Sequence, residues 1–290
     1  MGLRLKFNLV LILVCLVGLA ASGYISYNLL HQNAREEVLR NAGLMMETAL
    51  AIRSYTVNHI KPRLDPQLET EFLPQTVPAF AATETLNELK KRYPDYAYKE
   101  ATLNPTNLRN RAADWENDII AVFRNNPSNK EISGERDTPT GRSLFIARPI
   151  QIKNGACLSC HTTPETAPVA LVKLYGNANG FGWKLDEVVG AQVVSVPMSL
   201  PINNANRAFR AFTISLLAVF GAVFIVLNVM LSWLIIRPIA KMSESADQIS
   251  KGNMNIPELP DVGKDEVASL AQSFNRMSRS LKKAVQMLEE

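Results

Sequence analysis

Two long apolar segments divide the chain into three parts. No charged residue occurs in the 24 residues from Phe7 to Leu30 or in the 26 residues from Ala211 to Ile236. About 20 apolar residues suffice for one helical crossing of a bilayer, so each segment predicts a transmembrane helix. The first segment could also be the core of a cleaved signal peptide. It exceeds the roughly 7 to 15 residues of such a core, which favours an uncleaved anchor.

Basic residues beside the two segments predict the orientation of the chain. Arg4 and Lys6 precede the first segment, and Arg237 and Lys241 follow the second. Because positive residues favour the cytoplasmic side, we expect both termini in the cytoplasm and the middle part in the periplasm of a bacterial cell. The predicted parts are a cytoplasmic N-terminus (1–6), a first transmembrane helix (7–30), a periplasmic domain (31–210), a second transmembrane helix (211–236) and a cytoplasmic tail (237–290).

The middle part has helical periodicity first and strand-like runs afterwards. Two short helices and a proline-rich loop follow a long amphipathic helix, and runs rich in Val, Ile and Phe predict strands. Helices followed by an antiparallel sheet indicate an α+β domain. The predicted helices are 31–60, 83–93 and 114–123, the loop is 61–78, and the strands are 143–152, 188–196 and, more weakly, 170–175. In the helix 83–93 we expect Leu86 and Leu89 to face inward.

The cytoplasmic tail carries an apolar residue alternately every three and four residues. This heptad stripe consists of Val267, Leu270, Phe274, Met277, Leu281, Ala284 and Leu288. Such a repeat is typical of helices packed in a coiled coil. Because the cytoplasmic part contains no other mass that could cover the stripe, we expect a parallel homodimer with a four-helix bundle below the membrane. An amphipathic helix folded onto its own subunit is the alternative.

Charge and cysteine content narrow the function classes. A net charge of +4 over 290 residues is too small and too dispersed for a nucleic-acid binder. Three cysteines are too few for a scaffold held by disulfides.

Two of the cysteines belong to the sequence Cys157-Leu158-Ser159-Cys160-His161. This C-x-x-C-H pattern is the attachment motif of c-type haem, in which two thiols bind the vinyl groups and the imidazole binds the iron. We therefore expect one covalent haem c, bound through Cys157 and Cys160, with His161 as the proximal ligand. A disulfide between the two cysteines and half of a zinc site are the alternatives.

The sixth position of the iron has no ligand assigned by the motif. His59, near the end of the first predicted helix, is the first candidate, and Met45 and Met46 on the same helix are weaker ones. His31, at the membrane exit, is a further weak candidate. A five-coordinate iron and a ligand that the sequence does not identify are the remaining alternatives.

Two features beside the motif are candidates for contacts with the porphyrin. Arg142 and Arg148 flank the strand before the motif, so either is a candidate partner for a haem propionate, with a solvated surface charge as the alternative. The glycine-rich loop 176–182 leads to Trp183, and we expect Phe181 and Trp183 to pack against the domain or the porphyrin.

The cytoplasmic tail and the middle part of the chain each resemble a known family. The tail resembles a HAMP signalling linker through Arg237-Pro238-Ile239, Gly252, Asp265-Glu266, Leu270 and residues 273–277. The middle part, over about 35–200, resembles the periplasmic c-type haem sensors of PAS-like fold first seen in a cyanobacterial haem protein. It does so through Tyr55-Thr56, Pro62, Asn104-Pro105, Arg148-Pro149-Ile150, the C-x-x-C-H motif, residues 180–183 and residues 194–198.

The resemblance implies a PAS-like fold and a sensor of redox state or of small gases. In the cyanobacterial relative a cysteine is the distal ligand, whereas the helical region here has none.

Together these features predict a homodimeric inner-membrane receptor that reports a redox change or a diatomic gas. The sequence contains no output domain after the tail, so we expect a separate cytoplasmic signalling protein, such as a kinase, as partner; a signalling fragment whose next module is lost is the alternative. A membrane-tethered periplasmic electron-transfer cytochrome is the alternative, but it gives no reason for the heptads. We expect no enzymatic activity, because no acid–base pair can be assigned beside the motif.

Overall fold

The computed structural model describes residues 2–139, 141–260 and 262–289, with the side chains of all these except residues 68, 69, 288 and 289. The α-helices are α1 (Leu3–Tyr55), α2 (Lys61–Leu64), α3 (Pro78–Arg92), α4 (Asp114–Asn125), α5 (Leu158–His161), α6 (Val169–Tyr175), α7 (Ser199–Met230), α8 (Arg237–Ser250) and α9 (Glu266–Glu289). The strands are β1 (Ala97–Thr102), β2 (Ile132–Thr138), β3 (Gly141–Gln151) and β4 (Val188–Pro197). Two π-helical segments, Thr56–Ile60 and Leu231–Ile236, directly follow α1 and α7.

The chain forms two compact units. One, called here the sheet domain, is Asn28–Ala208, and the other, called here the helical unit, is Met1–Tyr27 with Phe209–Glu290. All four strands belong to the sheet domain.

The sheet is antiparallel throughout, in the order β1-β4-β3-β2. Strand β4 lies between two neighbours and is buried on both faces, which explains why its sequence is a valine-rich run without polar alternation. The strands predicted at 143–152 and 188–196 correspond to β3 and β4, and they pair with each other. The prediction of an α+β domain with an antiparallel sheet is confirmed.

Helices cover both faces of this sheet. Because side chains alternate along a strand, Val194 and Val193 of β4 point to opposite cores. The first core joins α1 and α3 to the sheet through Val38, Ala42, Met45, Met46, Ala49, Leu86, Leu144, Ile146, Val194 and Val196. The second joins α4 to the other face through Ala101, Ile119, Ile120, Phe123, Ala147, Ala191 and Val193.

Three local predictions were wrong. Residues 170–175 were expected as a strand but lie in helix α6, because a short apolar run fits either state. The segment 61–78 was expected as a loop, yet it contains α2 and two short 3₁₀ helices, with prolines at their first positions where proline is tolerated. Leu89 was expected to face inward but is exposed, whereas Leu86 is buried.

The helical unit contains the apolar segments. The helical run Leu3–Gln67 contains an 18-residue stretch with a mean hydropathy of 2.4, of which 0% is buried. The run Ser199–Ser250 contains one with a mean hydropathy of 2.6, of which 6% is buried. Both are therefore long and apolar enough to cross a membrane. Within this unit the rings of Tyr27 and Phe209 meet edge to face, with centroids 5.5 Å apart.

Helices α8 and α9 contact each other through a face that differs from the heptad stripe. Met242 and Ile249 of α8 and Ala268 and Ala271 of α9 are buried. The side chain of Asn275 holds the connector, since it accepts a hydrogen bond from the Leu259 backbone N–H and donates one to the Leu259 carbonyl.

The heptad stripe itself is largely uncovered in the single chain. Leu270, Met277 and Leu281 are exposed, Val267 and Phe274 are half-buried, and the side chain of Leu288 lies outside the described residues.

Candidate cofactor site

The two motif cysteines lie on one side of a short helical stretch. A 3₁₀ turn, Gly155–Cys157, runs directly into α5, and the side chain of Asn154 caps it by accepting a hydrogen bond from the Ala156 N–H. Residues three apart are neighbours on a helix surface, so Cys157 and Cys160 both face one cavity. Their thiols are unpaired.

His161 is held by two contacts. Its Nδ1 lies 2.7 Å from the carbonyl oxygen of Gly180, and its ring is stacked on Trp183 with centroids 3.8 Å apart and planes inclined by 13°. A carbonyl only accepts, so Nδ1 carries the proton and Nε2 keeps its lone pair. Burial lowers the pKa of His161, and the hydrogen bond to Gly180 offsets only part of this effect. The imidazole is therefore suited to bind a metal through Nε2.

The glycine-rich loop comes close to His161 because residue 180 has no side chain. Gly180 has φ +87°, and a Cβ there would lie 2.1 Å from Oγ1 and 2.8 Å from Cα of Thr106. The loop also pairs with the motif backbone, since Trp183 N–H donates to the His161 carbonyl at 3.2 Å. Trp183, which was expected to pack against the domain or the porphyrin, packs against the domain through the ring of His161.

The cavity beside the motif measures about 720 Å³. This volume lies within the roughly 300–1,000 Å³ of pockets that hold cofactors. One wall is the motif with α6 and Trp183, and another is formed by residues at and after the end of α1. The ionisable side chains that line it are those of Arg53, Lys61, Asp65, Glu100, Arg109, Cys157, Cys160, His161 and Tyr175.

A buried polar network borders this cavity. Arg53 Nη1 lies 2.5 Å from both carboxylate oxygens of Glu100, Tyr98 donates its hydroxyl to Glu100 Oε1 at 2.8 Å, and Gln192 donates to the Tyr98 oxygen at 3.3 Å. Burial and the Glu100 carboxylate raise the pKa of Tyr98 far above its ordinary value, so the phenol stays protonated. Burial, the largest single effect, lowers the pKa of Arg53, but Glu100 together with Tyr98 and Cys157 outweighs it, so the pKa is raised.

The structure does not bring the predicted distal ligands to this cavity. His59 is exposed and stacked on Tyr55, with ring centroids 5.2 Å apart. It lies two residues from Val57, which lines the cavity, and two helical residues correspond to a rotation of about 200°. Met45 and Met46 are buried in the first core, where they fill space between α1 and the sheet.

The arginines predicted to meet a propionate also lie elsewhere. Arg148 pairs with Glu47 and Glu131, each at 2.8 Å, and Arg142 pairs with Glu135 at 2.9 Å. Neither arginine lines the cavity in the described part of the chain.

Three other cations take their place at the cavity: Arg53, Lys61 and Arg109. Arg53 is held by Glu100, and Arg109 is held by Glu84. Lys61 makes no ion pair with any described residue. Sequence reasoning missed all three. For Arg53 and Lys61 the only available signal was the four-residue spacing of positions 53, 57 and 61, which holds for any helix face, and for Arg109 no signal was available in the sequence.

Two family models match the chain. The Tll0287-like model matches residues 31–197, and the HAMP domain model matches residues 230–283. A search of curated proteins finds no match. Among solved structures, the cyanobacterial heme-protein Tll0287 is similar, with 17% identity and a TM-score of 0.43 over 56% of this chain and 95% of that chain. Because the first match spans more than half of the chain, this protein belongs to the Tll0287-like family and carries a HAMP domain after its sheet domain.

Proposed function

We propose that the protein is a membrane receptor whose sheet domain binds one covalent haem c and signals through its HAMP domain. The observation that carries the proposal is the cavity that gathers two free thiols and one oriented imidazole, Cys157, Cys160 and His161. The family match supports haem binding, and the HAMP match supports signalling. The two long apolar helices are consistent with a chain that crosses the membrane twice.

The residues at the cavity fit a haem c. Cys157 and Cys160 would form the thioethers, and His161 would bind the iron through Nε2 while Gly180 holds Nδ1. Lys61 and Arg109 are the cations we assign to the propionates, since Lys61 has no carboxylate partner among the described residues. When bound, the haem would supply an iron that changes oxidation state or binds a diatomic gas.

Helix continuity supports a route for the signal. Helix α1 begins at Leu3, contains the whole first apolar segment and also contains Arg53, which lines the cavity. Strand β4 ends at Pro197, and α7 begins two residues later and contains most of the second apolar segment, whose last residues form the π-helical segment Leu231–Ile236. A change at the cavity that shifts either helix would bias the packing of α8 and α9.

The exposed heptad stripe supports a homodimer. An uncovered row of Leu270, Met277 and Leu281 is costly in water, and a second copy would bury it in the parallel bundle that the heptad predicts. The basic residues beside the apolar segments favour a periplasmic sheet domain and cytoplasmic termini in a bacterial inner membrane. We propose that the output is a separate cytoplasmic signalling protein and that the receptor itself is not an enzyme.

Haem attachment is tested by expression in a host competent for cytochrome maturation. We expect the wild-type chain to retain haem on a denaturing gel, and a Cys157→Ala/Cys160→Ala variant to lose it. The control is Cys15→Ala, because Cys15 lies in the helical unit and should be dispensable. A colourless wild-type protein, or haem retained by the double variant, would contradict the proposal.

Signalling is tested with a cysteine reporter on the heptad stripe. Met277→Cys in a Cys15→Ala background is treated in membranes with an irreversible thiol cross-linker, with the haem oxidised, reduced, or reduced and bound to carbon monoxide. We expect the yield of cross-linked dimer to differ between at least two of these states, and the difference to vanish in His161→Ala. Equal yields in all three states would refute the signalling role and leave haem binding intact.

A further inference from the structure

A single asparagine connects β1 to the loop that orients the imidazole. Asn104 follows β1 and reaches across to residues 180 and 181. Its Oδ1 accepts a hydrogen bond from the Gly180 N–H at 3.2 Å, and its Nδ2 donates to the Phe181 carbonyl at 3.2 Å. The two partners fix the orientation of the carboxamide, because a backbone N–H only donates and a carbonyl only accepts.

The same glycine also faces His161. Gly180 gives its N–H to Asn104 and presents its carbonyl to His161 Nδ1 at 2.7 Å. Thr106 closes the arrangement, because its Cα and side chain occupy the place where a Cβ of residue 180 would lie. Residues 104 and 106 thus hold Gly180 by hydrogen bonds and by contact, and the Gly180 carbonyl has little freedom to turn away.

A weaker acceptor is available if this arrangement loosens. Thr106 Oγ1 lies 3.5 Å from His161 Nδ1, at the outer limit of a hydrogen bond. If Asn104 and Thr106 no longer held Gly180, the Nδ1 proton of His161 would be shared between the displaced Gly180 carbonyl and the Thr106 hydroxyl. The hydrogen bond that a metal-bound histidine donates sets the basicity of the ligand and thereby tunes the metal.

We propose that Asn104 is the positioning residue of the axial imidazole, acting through the Gly180 carbonyl to set the reduction potential of the haem. This inference rests on the proposed function, because it requires an iron bound to His161. A strong hydrogen bond from Nδ1 makes the imidazole a better electron donor, which stabilises oxidised iron. Loss of the Asn104 carboxamide should therefore favour reduced iron.

The test compares midpoint potentials in the full-length haem protein. Asn104→Ala should lower the ratio of oxidised to reduced haem at a fixed potential by up to about tenfold, which corresponds to a rise of about 59 mV for a one-electron couple. Asn104→Gln keeps the carboxamide and should recover part of the shift. The control is Asn177→Ala, since Asn177 is exposed in the same loop and should leave the potential unchanged.

The midpoint potential distinguishes a role of Asn104 in positioning the His161 imidazole from a role that only stabilises the loop. If Asn104 only stabilised the fold, Asn104→Ala would unfold at a lower temperature with an unchanged potential, and this result would overturn the proposal. If Asn104→Ala fails to accumulate, Asn104→Ser is measured in its place, and an unchanged potential there overturns the proposal equally. A wild-type protein without haem would overturn both this inference and the proposed function, whereas a loaded protein with an unchanged potential overturns this inference alone.

Discussion

The buried pair of Arg53 and Glu100 offers a quantitative test of the region that borders the cavity. The Glu100 side chain is 4% exposed and that of Arg53 is 26% exposed. Replacement of Glu100 by leucine keeps most of the volume but leaves the guanidinium without its carboxylate and the Tyr98 hydroxyl without its acceptor. An unpaired buried charge is far more costly than no charge at all.

The expected loss follows from this geometry. Breaking a buried ion pair costs about 3–5 kcal/mol, and the partial exposure of Arg53 to water places the loss near the lower end. A domain of about 180 residues loses roughly 2–4 °C of melting temperature per kcal/mol, so Glu100→Leu should lower the Tm by about 6–12 °C. The control Glu88→Leu breaks an exposed pair with Lys91 and should change the Tm by about 2 °C or less.

The double variant Arg53→Met/Glu100→Leu makes the reasoning refutable. Removal of both charges leaves no lone ion, so the double variant should be more stable than Glu100→Leu alone. The Tyr98 hydroxyl lacks its acceptor in both variants, so its cost cancels in the comparison. The assay is thermal unfolding of the full chain in detergent, followed by tryptophan fluorescence. A Glu100→Leu variant as stable as the parent, or a double variant no more stable than the single one, would refute the argument.

Three further outcomes are expected. Gly180→Ala should lose about 2–5 kcal/mol of stability in thermal unfolding, from the positive φ and from the clash with Thr106, and an unchanged Tm would contradict the described backbone. In protein without haem, the pKa of His161 is lower in the folded than in the unfolded chain, so the unfolded chain binds the proton at a higher pH. The stability that His161 contributes above about pH 6.5 should therefore be lost as the pH falls. Thermal unfolding from about pH 8 to 5 tests this, and His161→Gln should weaken the pH dependence. In the Met277→Cys cross-linking assay, Leu281→Asp should abolish the dimer, whereas Ser280→Asp, which lies off the heptad stripe, should not. Cross-linked dimers in both variants would show that the interface lies elsewhere.

The sequence predicted the elements in which the local pattern and the tertiary contacts agree. Strands β3 and β4 are apolar because both lie in the middle of the sheet, and α4 has a clear apolar face. Strands β1 and β2 were missed because they are edge strands with polar residues, Ala-Tyr-Lys-Glu-Ala-Thr and Ile-Ser-Gly-Glu-Arg-Asp-Thr. Edge strands are defined by their neighbours in the sheet, and that information is not local.

In the candidate site, too, some features could be predicted from the sequence and others could not. The motif around Cys157 and Cys160 was evident because its residues are adjacent in the sequence and its spacing is a local pattern. The role of Gly180 was not, since it depends on an approach to Thr106 between segments more than 70 residues apart. Asn104 was noted only as part of the Asn104-Pro105 pair in the family resemblance, and its hydrogen-bond partners were visible only in three dimensions.

The wall opposite the motif depends on one irregularity of the helix. In a regular α-helix, about 100° per residue would place Lys61 some 80° away from Arg53. The π-helical turn Thr56–Ile60 holds one residue more than an α-turn and so removes about 100° of this rotation. Arg53, Val57 and Lys61 therefore face the cavity together while His59 faces away. A distal ligand chosen from the sequence by residue type alone selects the histidine, whereas the phase of the helix presents a lysine and an arginine to the cavity.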